Sequence, residues 1–452
     1  MGIKDRDYIL LVLAHILIGV LIFLLPFLSK IYSVVIFVFG FLYVLKTQNK
    51  NNNVLYVAGY IVGSEVFLRM TQGSFFYELS KYGVMFFLMM GMYYKGFSKN
   101  ALPLWIYLLL LVPGIIIATE TLNLTTDIRK AILFNISGPL CLGVAGIYCY
   151  ERKILFPHLN NVLLAIGLPI ISNTVYLILF TRDLKEVLTG TGSNPLTSGG
   201  FGPNQVATVL GLGMFIFFSR LLLVSKSKLI FIVNLIIAFN ISYRGLLTFS
   251  RGGMMTGFLM IIVLLIFIYL RTKSSVKLKL NAVFISLAAT MILIWLYTSS
   301  QTGGLIEKRY ANQDAIGREK ESQLSGREGI FESEFNTFLS NPIFGVGVAK
   351  GLEIREKKTG GLIIASHNEI TRMLTEHGIV GIFGLIIIFL TPIFLYLGNK
   401  QHIYLFCFIL FWLLTINHAA MRIAAAAFIY SLSLLKVTMY EEDDTIHRKQ
   451  TV

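Results

Sequence analysis

Two groups of residues in this 452-residue chain have the types and spacing to do chemistry. The first is Ser366-His-Asn-Glu369, followed by Thr371-Arg-Met-Leu-Thr-Glu-His377. An imidazole at His367 is suited to taking a proton from a hydroxyl near neutral pH. Ser366 can cap a short helix on which His367, Ile370 and Leu374 share one face. Arg372 then pairs with Glu369 and Glu376 as a solvated helix salt bridge, or meets a charged ligand. A metal site from His367, Glu369, Glu376 and His377 lacks the HExxH spacing, so no metal is expected. The second group is Thr248-Phe-Ser-Arg-Gly-Gly253, which closes one hydrophobic run just before another begins. Arg251 there either snorkels to lipid headgroups or faces a wet, functional interior. Arg244 lies deeper on the same side of the preceding helix. Charge inside a membrane is costly, so two arginines along one face of a span are unusual.

The elements that must position these residues are hydrophobic. The chain is 55% hydrophobic and 14% charged, with a mean hydropathy of +0.72. Soluble domains carry roughly 25% charged residues, so the fold class is an all-α polytopic membrane protein, read as a single membrane domain over residues 1–452. A membrane span takes roughly 20 apolar residues. Candidate spans fall near 8–28, 31–45, 54–70, 80–96, 101–118, 131–150 and 156–180. Seven more fall near 204–222, 229–248, 252–270, 279–298, 378–398, 402–417 and 419–437. The second and thirteenth are short, which sets the expectation at about 12–14 transmembrane helices. A long, partly helical loop, residues 299–377, interrupts the series. Cys141, Cys149 and Cys407 sit in apolar runs as small core residues, and the basic N-terminus leads into a retained first span.

The net charge of +15 reads as topology signal in a membrane chain, and no nucleic-acid partner is expected. With the N-terminus cytoplasmic, inner loops hold Lys46 and Lys50, Lys95 and Lys99, Arg152 and Lys153, and Arg220, Lys226 and Lys228. The densest holds Arg271, Lys273, Lys277 and Lys279. Both termini are then cytoplasmic and the long loop faces outward. Within the loop, the charged 303–323 segment is expected to meet solvent. Ile330, Phe331, Phe335, Phe338 and Leu339 recur at helical spacing, an amphipathic helix for the membrane surface or a cavity roof. Thr189 to Asn204 is rich in Gly and Pro: a plain connection, or a backbone shelf lining a polar cavity. Asn341-Pro-Ile-Phe-Gly-Val-Gly347 lacks the surroundings of a phosphate loop.

Taken in order, several of these pieces resemble the O-antigen ligase and polymerase superfamily of bacterial envelope membrane proteins. The matching residues are Gly202-Pro-Asn-Gln205, Leu247-Thr-Phe-Ser-Arg-Gly-Gly253, Ser325-Gly-Arg327, Asn341 to Gly347, and His367-Asn368 with Gly378-Ile-Val-Gly381 further on. The resemblance covers roughly residues 200–400, and no single motif in it is specific. It implies a glycosyltransferase of the integral-membrane (GT-C-like) type that needs no metal or other cofactor. The donor would be an oligosaccharide on undecaprenyl pyrophosphate, transferred to a saccharide acceptor at the outer (periplasmic) face of the bacterial inner membrane. The family's essential arginine maps onto Arg251, its loop histidine onto His367, and a second loop arginine onto Arg327.

On that reading Arg251, Arg327, Arg244 and Arg372, with Asn368 and Asn204, are candidates for binding pyrophosphate and sugar. Arginine offers a permanently charged fork suited to phosphate, and cations aimed at a departing phosphate contribute several kcal/mol to the transition state. His367 would be the general base, oriented by Glu369 or Glu376 unless these pair with Arg372. Length and the number of spans favour a polymerase of O-antigen or capsular repeat units, with a chain-length regulator as a possible protein partner. A ligase acting on lipid A core shares every motif quoted. A protein O-oligosaccharyltransferase is a third relative, and a flippase for lipid-linked sugars is the reading from another class.

Overall fold

The computed structural model describes residues 4–181, 184–320, 328–358, 360 and 366–439. Helices dominate it, in chain order α1 (Asp5–Leu24), α2 (Leu28–Thr47), α3 (Val54–Met70), α4 (Leu79–Lys95), α5 (Leu102–Thr121) and α6 (Ile128–Cys149). There follow α7 (Phe156–Phe180), α8 (Leu184–Val187), α9 (Pro203–Leu223), α10 (Lys228–Leu247), α11 (Arg251–Arg271) and α12 (Ser274–Gln301). The long loop contributes α13 (Leu305–Tyr310), α14 (Glu328–Ser340) and α15 (Lys350–Lys358). The chain ends through α16 (Glu369–Tyr396), α17 (Leu405–His418) and α18 (Ala424–Leu432). Two three-residue strands, β1 (Lys153–Leu155) and β2 (Lys436–Thr438), pair in parallel at the end of the bundle away from the long loop.

Each of the fourteen expected spans coincides with a helix, yet ten among the described residues are long and apolar enough to cross a membrane. The four that fall short are α3 and α4, of 17 residues each, α17 of 14 and α18 of 9. At 1.5 Å per residue α17 reaches about 21 Å and α18 about 13 Å. The turn between them therefore lies inside the bundle. Ala419, Ala420, Met421 and Ile423 are all buried there. Irregular backbone at that depth persists only where protein or a wet cavity surrounds it.

Glycines set the closest helix contacts. α9 and α11 touch backbone to backbone: a Cβ on Gly253 would strike Ala207 and Thr208, and one on Gly257 would strike Gly211. Small residues four apart on both helices permit this approach, the usual way membrane helices gain packing contacts. α16 is broken at Gly378, whose φ of 63° no β-branched or bulky residue adopts comfortably. Asn341–Gly347 wedges into the break. Val346 N–H donates to Thr375 O at 2.9 Å, Ile379 N–H to Pro342 O at 2.8 Å and Val348 N–H to Gly114 O on α5 at 3.0 Å. A Cβ on Gly345 would lie 2.5 Å from the Glu376 carbonyl carbon, and one on Gly347 2.7 Å from Ala118 N. The glycines of this motif thus serve close backbone packing.

Helix α14 covers the residues expected of an amphipathic helix, with its polar side turned inward. Phe331, Phe335 and Leu339 are exposed together with Ile343 and Phe344, while Glu334 is buried. The exposed aromatic face suits a membrane surface. The Gly- and Pro-rich segment after α8 is packed, not loose: Thr197 and Ser198 are fully buried, and Thr191 Oγ donates to Gln313 O at 2.7 Å.

Replacing Gly253 by leucine is expected to destabilise the protein by at least about 1–3 kcal/mol, the usual cost of overpacking, because backbone blocks the added atoms. Unfolding in mixed micelles measures this; an unchanged midpoint for Gly253→Leu contradicts the α9–α11 contact.

Candidate functional site

The buried turn between α17 and α18 lies against the segments that carry Arg251 and His367, and an ion pair from α3 holds it in place. Arg69 lies 2.6 Å from Glu65, and both side chains are almost fully buried. Glu65 accepts the Ala424 N–H at 2.7 Å, so a carboxylate sits on the N-terminus of α18, where the helix dipole favours negative charge. Arg69 donates to Arg422 O at 3.2 Å, to Gln205 Oε1 at 2.9 Å and twice to Tyr77 O. Gln205 in turn donates to the Tyr77 hydroxyl at 3.0 Å. The Gly202–Gln205 motif therefore braces the guanidinium that carries the turn.

On one side of the turn stands the N-terminus of α11. Gly252 leaves room for His418, whose ring would sit 2.6 Å from an added Cβ. His418 Nε2 is 3.0 Å from Thr208 Oγ on α9. Asn204 accepts the Ser250 hydroxyl at 2.8 Å, which fixes the residue before Arg251. Arg251 itself is half-buried. Beside it Arg309 donates to Phe249 O at 2.9 Å, and Lys320 donates to Thr191 Oγ at 2.8 Å. Burial, then Arg309 and Arg251, hold the Lys320 ammonium below its ordinary pKa. Burial pushes the Tyr310 phenol up to about 12 against the opposing pull of Arg251 and Arg309. Arg251, Arg309 and Lys320 thus share one field of positive charge. Below it an apolar cavity of about 270 Å³ opens between α10, α11 and α12, lined by Leu246, Met254, Met255, Phe258, Met291 and Trp295 among others.

On the other side stands the start of α16. His367 O accepts the Ala420 N–H at 3.1 Å, and Arg422 donates to Ser366 O. Arg251 and His367, 116 positions apart in sequence, therefore flank one turn. Helix α16 is capped by Asn368, not by Ser366: the Asn368 carboxamide oxygen accepts the Ile370 N–H at 2.9 Å, and its Nδ2 donates to Asn417 at 3.2 Å. Ser366 instead closes a turn on Asn368.

The expected solvated salt bridge at Arg372 is a buried triad. Arg372 meets Glu369 and, at 2.6 Å, Glu376, with all three side chains nearly inaccessible. Both carboxylates considered as orienters of His367 are thus engaged by Arg372. Arg244 donates to Ile178 O at 3.2 Å and Thr181 O at 3.5 Å, holding the last turn of α7. Its charge complements that helix end. His377 is packed against Gly114 of α5, and neither ring nitrogen has a hydrogen-bond partner among the described residues. Arg327 lies outside the described residues.

Sequence reasoning missed Glu65, Arg69, Lys81, Arg309, Lys320, His418 and Arg422. Glu65 and Arg69 carried a readable signal, an i,i+4 pair of opposite charges inside an apolar span. The others are recognisable only from contacts made far along the chain.

Residues 233–386 match the family model described as O-antigen ligase. That match places this segment, which holds Arg251, His367 and Arg372, in the O-antigen ligase and polymerase superfamily. Over 188 residues the chain is 30% identical to an uncharacterized protein of Haemophilus influenzae, an alignment covering 38% of this chain and 45% of that protein. The matched segment leaves out α3, α4 and the α17–α18 turn, so the family signal covers only part of the site.

Removing either half of the Glu65–Arg69 pair is expected to cost about 3–5 kcal/mol, the penalty of a buried unpaired charge. A double-mutant cycle with Glu65→Gln and Arg69→Gln should give a coupling of about 0.5–3 kcal/mol. Additive losses contradict the role assigned to the pair.

Proposed function

We propose that the protein is a polymerase joining undecaprenyl-pyrophosphate-linked repeat units of an O-antigen or capsular polysaccharide at the outer face of the inner membrane. The observation carrying this reading is the positive cluster of Arg251, Arg309 and Lys320 beside Tyr310, which lines an apolar cavity between α10, α11 and α12. A polyprenyl pyrophosphate has the matching two parts, an anionic head and a hydrocarbon tail. Further along, a second apolar cavity of about 450 Å³ lies between α11 and α12, lined by Ile262, Leu265, Tyr269 and Phe284. Met254 to Leu270 on α11 spans about 24 Å, so a tail lying there would follow the helix through most of the bilayer.

The proposed reaction is a single displacement. An acceptor hydroxyl oxygen attacks the anomeric carbon of the donor sugar. The bond from that carbon to the phosphate oxygen breaks, and the lipid pyrophosphate leaves with the electron pair. Arg251, with Arg309 and Lys320, stabilises that charge. His367, across the turn, takes the proton of the attacking hydroxyl. Attack opposite the leaving group inverts the anomeric centre.

Sidedness follows from charge. The end of the bundle opposite the loop carries Lys46, Lys95, Arg152, Lys226, Arg271 and Lys273, which the positive-inside rule assigns to the cytoplasm. The start of α1 and the strand β2 lie at that end, so the proposed site opens outward. The preference for polymerase over ligase rests on the number of hydrophobic segments.

Purified protein in nanodiscs should elongate lipid-linked oligosaccharide. Arg251→Ala and His367→Ala should each lower the rate by at least about 100-fold without changing the unfolding midpoint. Retained activity in both variants contradicts the mechanism. In a deletion strain, single-repeat lipopolysaccharide supports the polymerase, and full chains stranded on the carrier identify a ligase.

A further inference from the structure

A third cavity, of about 70 Å³, lies against the α17–α18 turn at Ala420, Met421 and Arg422, enclosed by α4, α6, α15 and the start of α16. That is room for more than one water, the scale of a small acidic group. Four cations line it, Lys81, Arg355, Arg372 and Arg422, against two carboxylates, Glu369 and Glu376. The lining therefore carries an excess of two positive charges (four minus two), or one if Glu334, the partner of Arg355, is counted.

Most of these charges already have partners. Arg372 is held by Glu369 and Glu376, and Arg355 lies 2.6 Å from Glu334. Lys81 differs. It is 2% exposed, and among the described residues its ammonium has one hydrogen-bond partner, the Ser137 hydroxyl at 2.8 Å. No carboxylate among them lies within 4 Å of it. An ammonium has three N–H donors, and a buried charge lacking a counter-ion costs several kcal/mol. Glu65 and Glu78 act on the ammonium only at longer range, and among the described residues its other N–H donors are left for an entering anion. Phe134 and Asn135 of α6 form its rim, and Phe134 is partly exposed, so the cavity opens at the flank of the bundle. Ser366, which also lines it, is the residue before His367.

We infer that this cavity is the acceptor subsite: Lys81 binds an acidic group, carboxylate or phosphoryl, on the acceptor saccharide and so brings an acceptor hydroxyl to His367. The inference rests on the transferase reading above. With donor and acceptor on opposite sides of one turn, His367 faces the hydroxyl while the cations at Arg251 face the leaving group.

The test uses purified wild-type protein with Lys81→Met, Lys81→Arg and the rim-filling Asn135→Trp. Binding of methyl β-glucuronide, methyl β-glucoside and inorganic phosphate is measured by calorimetry, and transfer kinetics are measured with lipid-linked donor and a varied acidic acceptor. The wild type should bind glucuronide, phosphate or both at least tenfold more tightly than the glucoside; which of the two wins identifies the acidic group. Lys81→Met and Asn135→Trp should remove that preference, Lys81→Arg should keep part of it, and Lys81→Met should raise the acceptor KM at least tenfold with kcat and donor KM unchanged. Equal wild-type binding of the charged and neutral glycosides overturns the inference even if no variant folds. Anion binding that survives in a folded Lys81→Met also overturns it, as does a Lys81→Met that loses kcat with acceptor KM unchanged. Anion binding that depends on Lys81 in a protein showing no glycosyl transfer overturns the transferase reading and leaves only an anion site.

Discussion

A carboxylate and a guanidinium buried between hydrophobic helices would be expelled or neutralised if either stood alone. Together, Glu65 and Arg69 hold in place a stretch of backbone that has no helix of its own. Glu65 satisfies the first N–H of α18, and Arg69 ties down the carbonyls of Arg422 and Tyr77 while Gln205 braces it from α9. Replacing such a pair by apolar residues often costs little in other proteins. Here apolar side chains would leave the Ala424 N–H and the Arg422 and Tyr77 carbonyls without these partners. The pair is thus better understood as the clamp on the α17–α18 turn than as a source of net stability, and the turn is what Arg251 and His367 flank.

The second constraint is backbone proximity. The α9–α11 contact at Gly211, Gly253 and Gly257 places Arg251 beside Asn204 and His418, and the Asn341–Gly347 wedge in the break at Gly378 orients the start of α16. Both involve motifs that carry the family resemblance. In Ser-Arg-Gly-Gly the arginine faces the charged cluster, while the first glycine admits the His418 ring and the second admits α9. In both motifs the glycines let backbone approach closely enough to hold the neighbouring segments in place.

What was legible in the sequence follows from the range of the interactions that write it. Long apolar runs and amphipathic spacing are local, so all fourteen helical segments and α14 could be read directly. The length of α17 and α18 could not, because their apolar run continues through a turn whose irregular backbone is stabilised by α3, over 350 positions away. Asn368 outcompetes Ser366 as cap because Asn417 fixes its carboxamide, another distant contact. A solvated salt bridge at Arg372 is one of the two readings its local sequence allows, since its helix looks like part of a solvated loop. The wedge at Asn341–Gly347 and the α5 surface bury that helix and turn an ordinary salt bridge into an enclosed triad. Lys81 carried no local signal: it reads as the polar start of a span, and only the fold encloses it.

The central claim is that a lipid-linked donor lies with its tail between α11 and α12 and its pyrophosphate at Arg251, while the acceptor approaches from the far side of the α17–α18 turn. Photo-crosslinking with an undecaprenyl pyrophosphate analogue carrying a diazirine on its chain tests this most directly, with the protein in nanodiscs and the labelled peptides mapped by mass spectrometry. The account predicts labels on the cavity-lining stretches of α11 and α12, around Met255, Phe258 and Met291, that unlabelled carrier lipid competes away. Competable labels confined to α5 and α6, with α11 and α12 unmarked, would contradict it.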